Sequence, residues 1–158
     1  MVTAAAAPPL DEAAVRAALA EVSDPEIPVV SIVDLGMVER VEVTAAGIDV
    51  ELLPTFVGCP ALEIIRSAVT ERLGAFGRPV RVEFGFRVPW TSDRMSEAGL
   101  ERLRAAGFAP PVDDPAATRC PHCGSADVAL DNLFGPTQCR SLFYCRSCRQ
   151  PFEGFKSI

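Results

Sequence analysis

Six cysteines and one histidine carry most of the metal and nucleophile chemistry open to this 158-residue chain. Four of the cysteines form two pairs, Cys120-Pro121-His122-Cys123 and Cys145-Arg146-Ser147-Cys148, separated by 21 residues. That is near the roughly 15–20 residues between paired zinc knuckles. Each Cys-x-x-Cys brings two thiolates to one ion, and Gly124 follows the first pair where a tight turn profits from positive φ. The pattern predicts structural zinc on Cys120, Cys123, Cys145 and Cys148, with rubredoxin-like iron, a cluster or a redox dithiol as alternatives. Four thiolates leave no open coordination position for Lewis-acid chemistry. A unit of this size with so little core draws much of its folding free energy from the metal. His122 reads as a bystander, since four better ligands already satisfy the ion.

Two cysteines lie outside that set. Cys59 directly precedes Pro60, a residue favoured in the first helical turn, so the sequence places Cys59 at a helix N-cap. There the helix dipole and free backbone donors would stabilise a thiolate and lower its pKa, and Gly58 would let the chain bend or a partner approach. Three roles are open to Cys59: a soft ligand for a metal or cluster, a nucleophile, or a buried cap without chemistry. Asp24 and Glu26 in Ser23-Asp24-Pro25-Glu26, and Asp34, are candidates to flank this thiol, with turn and cap roles as the plainer reading. Cys139 reads first as a small buried hydrophobe and second as a reactive thiol. If 138–145 is one strand, Cys139 stands about 20 Å from Cys145 and cannot share its ion.

The elements that must hold these residues follow from hydrophobic period and turn chemistry. Asp11–Val22 has the spacing of a short amphipathic helix, and Ala61–Leu73 that of another, with Leu62, Ile65, Val69 and Leu73 on one face. Met37–Thr44 and Gly47–Leu53 predict two antiparallel strands, and Pro79–Arg87 a half-buried third. Ser23–Val30, with Pro25 and Pro28, is expected to be a loop. Asp93–Ala106 is expected to be a helix capped by Ser92. The fold class is therefore α+β: a small three-stranded sheet with packed helices, followed by a four-Cys, zinc-ribbon-like β module. Residues 1–9 read as a disordered lead-in, 10–111 as the α/β domain, 112–118 as a linker and 119–158 as the zinc module.

Charge divides the same way, net −8 over residues 1–115 and net +2 over 116–158, with one Lys against 14 Arg and no basic run. Such a chain is a poor match for nucleic acid, which needs clustered cations on one face. The Ala-rich start has no basic n-region and no apolar run is long enough for a bilayer, so neither export nor a membrane partner is expected. The expected location is the cytoplasm, where paired thiols favour metal over disulfides.

These residues combine into a recognisable pattern. Asp24-Pro25-Glu26-Ile27-Pro28, Asp34-Leu35-Gly36-Met37-Val38, and Pro54-Thr55 with Gly58-Cys59-Pro60-Ala61 resemble the domain of SufT-like iron–sulfur assembly factors over residues 11–90. Further stretches extend the likeness to the whole chain: Val88-Pro89-Trp90-Thr91-Ser92-Asp93, Cys120 to Ser125, Phe134-Gly135-Pro136-Thr137-Gln138-Cys139-Arg140, and Cys145 to Lys156. Together they resemble the PaaD family (also called PaaJ), accessory proteins of the phenylacetyl-CoA epoxidase system. The resemblance implies a non-catalytic factor that helps to mature the multicomponent oxygenase of phenylacetate catabolism. It would assist assembly of a metal or a transient iron–sulfur cluster, with Thr55, Gly58 and Pro60 supporting Cys59. Its partners would be the epoxidase subunits, among them the iron–sulfur reductase subunit. A non-catalytic structural or regulatory subunit is the alternative, and a nucleic-acid-binding zinc ribbon is a more distant one. The chain itself has no Glu-x-x-His pair and no dinucleotide-binding glycine motif, the parts that oxygen activation and electron supply require. A homodimer is also expected, because a three-stranded sheet leaves free edges.

Overall fold

The computed structural model describes residues 10–158; the expected lead-in over residues 1–9 lies outside them. Helix α1 (Glu12–Leu19) starts where Asp11 accepts the Ala14 N–H at 2.8 Å and buries Val15, Ala18 and Leu19. It stops short of Val22, whose carbonyl instead accepts the Ile32 N–H at 2.9 Å. The expected loop over Ser23–Val30 is a correction: Ser23–Asp24 (β1) and Ile27–Ser31 (β2) form a two-stranded antiparallel hairpin. Asp24 builds its turn by accepting the backbone N–H groups of Glu26 at 2.7 Å and Ile27 at 3.2 Å. A two-stranded hairpin leaves every strand at an edge, where the missing donor of Pro28 is tolerated.

Val38–Val43 (β3) and Ile48–Leu52 (β4) pair antiparallel, and α2 (Leu62–Gly74) carries the chain over to Val80–Phe84 (β5), which lies parallel to β4. This three-stranded sheet, in the order β3-β4-β5, packs with α1 and α2 over one core. Ile65, Val69 and Leu73 of α2 are buried there, while Leu62 is half-buried. The helix expected from Asp93 begins later, as α3 (Glu97–Ala105): Ser92–Arg94 is a single 3₁₀ turn, and Ser96 rather than Ser92 caps α3 by accepting the Gly99 N–H. The selection is tertiary, since Asp34 accepts from the Ser96 hydroxyl at 2.7 Å and its carbonyl accepts the Ser96 N–H at 2.8 Å. Gly99 fits because a Cβ there would meet the Asp34 carbonyl oxygen at 2.9 Å.

The second sheet contains Phe108–Ala109 (β6), Val128–Asn132 (β7), Arg140–Cys145 (β8) and Pro151–Phe155 (β9), in the order β6-β9-β8-β7. A short stretch before residues 112–118 thus joins the sheet of the metal module, through two residues parallel to β9. Its own core is small, with Phe143 and Phe152 stacked at 5.5 Å between centroids beside Ala109, Cys120 and Cys145. The two sheets are held against each other by buried side chains. Cys139 and Phe155 belong to the main core, Trp90 lies 6.1 Å from the Phe155 ring, and the Trp90 indole N–H donates to the Leu35 carbonyl at 2.7 Å.

Candidate functional site: a four-thiol centre and a two-thiol pocket

The knuckle cysteines converge as their spacing predicts. The sulfurs of Cys120, Cys123, Cys145 and Cys148 all lie within 4.8 Å of one another. Cys120 to Cys148 and Cys123 to Cys145 are each 3.6 Å apart. A tetrahedron with metal–sulfur bonds of about 2.3 Å has edges of about 3.8 Å, so the four thiols fit one tetrahedral ion. Each knuckle closes on its own backbone: the Gly124 N–H donates to the Cys120 carbonyl at 2.8 Å and the Arg149 N–H to the Cys145 carbonyl at 2.9 Å. Gly124 and Arg149 both have positive φ, 75° and 61°. Gly124 was foreseeable, whereas Arg149 hides the same turn behind an ordinary side chain. A bound ion would supply the cross-link that this small core lacks. His122 is outside the group; its ring packs edge-on to Phe152 and over Gly107.

Away from that centre, the remaining two cysteines are brought onto one cavity. Cys59 lies in the loop between β4 and α2, Cys139 in the loop between β7 and β8, and both line one cavity of about 260 Å³. Thr55, Phe56 and Pro60 form its wall on the first loop, residues 134–138 on the second, and Glu26 reaches it from the β1–β2 turn. Gly58 lies against the second loop, where a Cβ would stand 3.7 Å from Gln138 Oε1. Asp34 is elsewhere: it accepts from the Ser31 hydroxyl, from the Ser96 hydroxyl at the start of α3 and from the Arg102 guanidinium farther along that helix.

Cys59 is not the N-cap of α2. Ala61 holds that position, and Cys59 sits two residues earlier with its N–H donated to the Phe56 carbonyl at 3.1 Å. The expected lowering of its pKa is reversed as well. Burial pushes the Cys59 thiol up; the Ala61 N–H opposes this, but the charges of Glu26, Asp24 and Cys139 add to the upward shift. The helix amide was legible in the chain order, while the two carboxylates come from a hairpin that the sequence did not announce. Cys139, 7% exposed, is also pushed up by burial, against the Thr137 hydroxyl 3.2 Å from its sulfur and the nearby Arg140 charge. Both thiols therefore rest protonated at neutral pH.

Beneath Cys139 runs a polar chain that sequence reasoning missed. Arg140, 7% exposed, donates from Nε to Thr137 Oγ1 at 2.8 Å and from a terminal nitrogen to Glu153 at 2.6 Å. Lys156 donates to the Gln138 carbonyl at 2.8 Å and lies over the Phe134 ring. Asp24, buried, has its carboxyl pushed up by desolvation, partly offset by the backbone N–H groups of Glu26 and Ile27 and by Arg140. Glu26 of the β1–β2 hairpin thus puts one carboxylate on the pocket wall, while Arg140 lies behind Cys139 outside the lining. Two thiols and one carboxylate therefore line a single cavity.

Residues 12–84 match the family described as an iron–sulfur cluster assembly protein, and residues 109–156 match the PaaD zinc beta ribbon domain. Over 149 residues the chain is 41% identical to a putative subunit of the 1,2-phenylacetyl-CoA epoxidase of Escherichia coli (strain K12), covering 90% of each. Among solved structures it is similar to a domain of unknown function from Bacillus anthracis, at 30% identity and a TM-score of 0.55, covering 58% of this chain and 90% of that one. A conserved hypothetical protein from Thermotoga maritima aligns at 29% identity and a TM-score of 0.52, covering 60% and 94%. No helix among the described residues is long and apolar enough to cross a membrane.

Proposed function

The chain belongs to the PaaD family of phenylacetyl-CoA epoxidase subunits, which joins an iron–sulfur assembly domain to a zinc ribbon, and on that premise we propose that it is a non-catalytic maturation factor for the epoxidase. It delivers iron or an iron–sulfur cluster to a component of that oxygenase, the iron–sulfur reductase being the recipient whose chemistry fits best. The observation that carries this reading is the placement of Cys59 in an open pocket between the two sheets, within reach of a partner and apart from the closed four-thiol centre. Zinc in that centre is structural: its ligands are complete, so it shapes the ribbon and takes no part in transfer. Iron or a cluster in the pocket is cargo, taken up by ligand exchange and released the same way.

The test replaces Cys59 by Ser in cells that make the whole epoxidase system. Epoxidase activity and the iron content of its purified subunits should fall together while the level of this chain is unchanged. Normal activity and iron content would refute the reading. The exposed Phe86 and Val88, 62% and 46% accessible, favour a second one, a structural or regulatory subunit that docks through this edge. Co-purification at a fixed ratio, with activity indifferent to Cys59→Ser, would select that alternative.

A further inference from the structure

We propose that Cys59 and Cys139 together form a second metal-binding site, a two-thiolate clamp that holds one thiophilic divalent ion such as ferrous iron within a single chain. The clamp rests on the reading that this pocket receives metal cargo, and it specifies how the cargo is held.

Three observations carry it. The two cysteines come from loops of different sheets and line the same cavity. Each is held by its own surroundings: the Cys59 N–H by Phe56, and Cys139 by Thr137 at its sulfur and by the Lys156 N–H, 2.9 Å from its carbonyl oxygen. The cavity, about 260 Å³, is several times the roughly 30 Å³ that a water molecule occupies, so an ion fits with further ligands around it. Soft sulfur donors select transition metals over magnesium or calcium. Two thiolates neutralise a divalent charge but fill only half of a tetrahedral shell. The other half stays open to ligands from a recipient, unlike the closed centre of the four knuckle cysteines.

The binding step is a proton exchange. One divalent ion and two thiols give one ion with two thiolates, releasing two protons, with no change of oxidation state. The charges facing the pair are Asp24 and Glu26 on the hairpin, Arg140 on β8 and Lys156 beyond β9. The carboxylates hinder thiolate formation in the empty pocket and attract the arriving cation, which makes uptake dependent on the ion itself.

The experiment titrates Co(II) anaerobically into the full chain with its ribbon zinc retained, following thiolate-to-cobalt charge transfer, and uses Fe(II) as a competitor. One cobalt per chain is expected beyond the zinc. At pH values where both thiols are protonated, affinity should rise about 100-fold per pH unit, and about tenfold in Cys59→Ser or Cys139→Ser, since each variant loses one exchanging proton. Either substitution should weaken binding more than about 100-fold, beyond what outer-shell changes produce. Cys139→Ala, which keeps a small apolar group in the core, should do the same, and unchanged ribbon zinc checks that each variant is folded. Wild-type affinity in both Cys139 variants would overturn the clamp, and if Cys59→Ser still failed to bind, the maturation role of Cys59 would stand. Half an ion per chain would also overturn it, in favour of a Cys59 pair shared by two chains. No binding by the wild-type chain would overturn the clamp and leave the maturation role to the Cys59→Ser test in cells.

Discussion

Arg149 repeats the left-handed backbone of Gly124: each follows the second cysteine of its knuckle, and each donates its N–H to the first cysteine's carbonyl. The two halves of the metal centre are thus built to one plan with different residues. For a side chain other than glycine this conformation costs about 1–2 kcal/mol. Gly124→Val should therefore destabilise the ribbon by about that amount and weaken its metal, whereas Arg149→Gly should retain the metal with a stability change of less than about 1 kcal/mol. Chemical denaturation and competition with a chromophoric chelator measure both.

Removal of the ribbon metal should loosen β7, β8 and β9 and spare the first sheet. Cys145 ends the strand that Arg140 begins, so slackening at the centre travels along β8 to Cys139. Chelator treatment should raise amide exchange over residues 128–155 and open Cys139 to alkylation, with little change in β3, β4 and α2. Exchange mass spectrometry reads all of these segments in one experiment.

The Cys59 thiol should titrate above the ordinary value of about 8.5, because burial and the charges of Glu26 and Asp24 all favour the protonated form. Glu26→Gln should move the midpoint of its alkylation profile downward, and that of Cys139 with it, since Glu26 acts on both. Mass spectrometry of the alkylated peptides resolves the two. A profile indifferent to Glu26 would show that its field does not reach them.

Asp24 gives the opposite of the usual carboxylate signature. Its folded pKa lies above the unfolded one, so the folded state binds the proton more tightly. Its favourable contribution is complete below the unfolded value near about 3.9 and is lost as pH rises through the folded value. Asp24→Asn keeps an oxygen for the Glu26 and Ile27 N–H groups and removes the buried charge. At pH 7 it should match or exceed the wild type in stability, with the gain vanishing in acid. Asp24→Ala, which loses both hydrogen bonds, should cost about 1–3 kcal/mol. Urea midpoints across pH check the pair.

Local patterns proved the most legible. The knuckle spacing names its four ligands, and the periods of β3, β4 and α2 locate the core, because each depends on residues a few positions apart. The β1–β2 hairpin escaped because Pro25 and Pro28 look like strand breakers until Asp24 is seen to supply the turn. The start of α3 escaped because Ser92 and Ser96 are equally good caps, and remote Asp34 decides between them. The pocket needed more still. Cys59 and Cys139 each read as isolated thiols, and only the packing of Trp90, Cys139 and Phe155 between the sheets brings their loops together. The pKa of Cys59 depends on that same packing, so the helix start alone gave the wrong sign.

Trp90, the sole tryptophan in the chain, has its indole buried at this junction, against Phe155 and tied to the Leu35 carbonyl. Its fluorescence is consequently a gauge built into the seam. Blue-shifted emission reports the two sheets docked, and a red shift reports water entering between them. Separation and docking of the two sheets can thereby be followed in real time on the unlabelled protein.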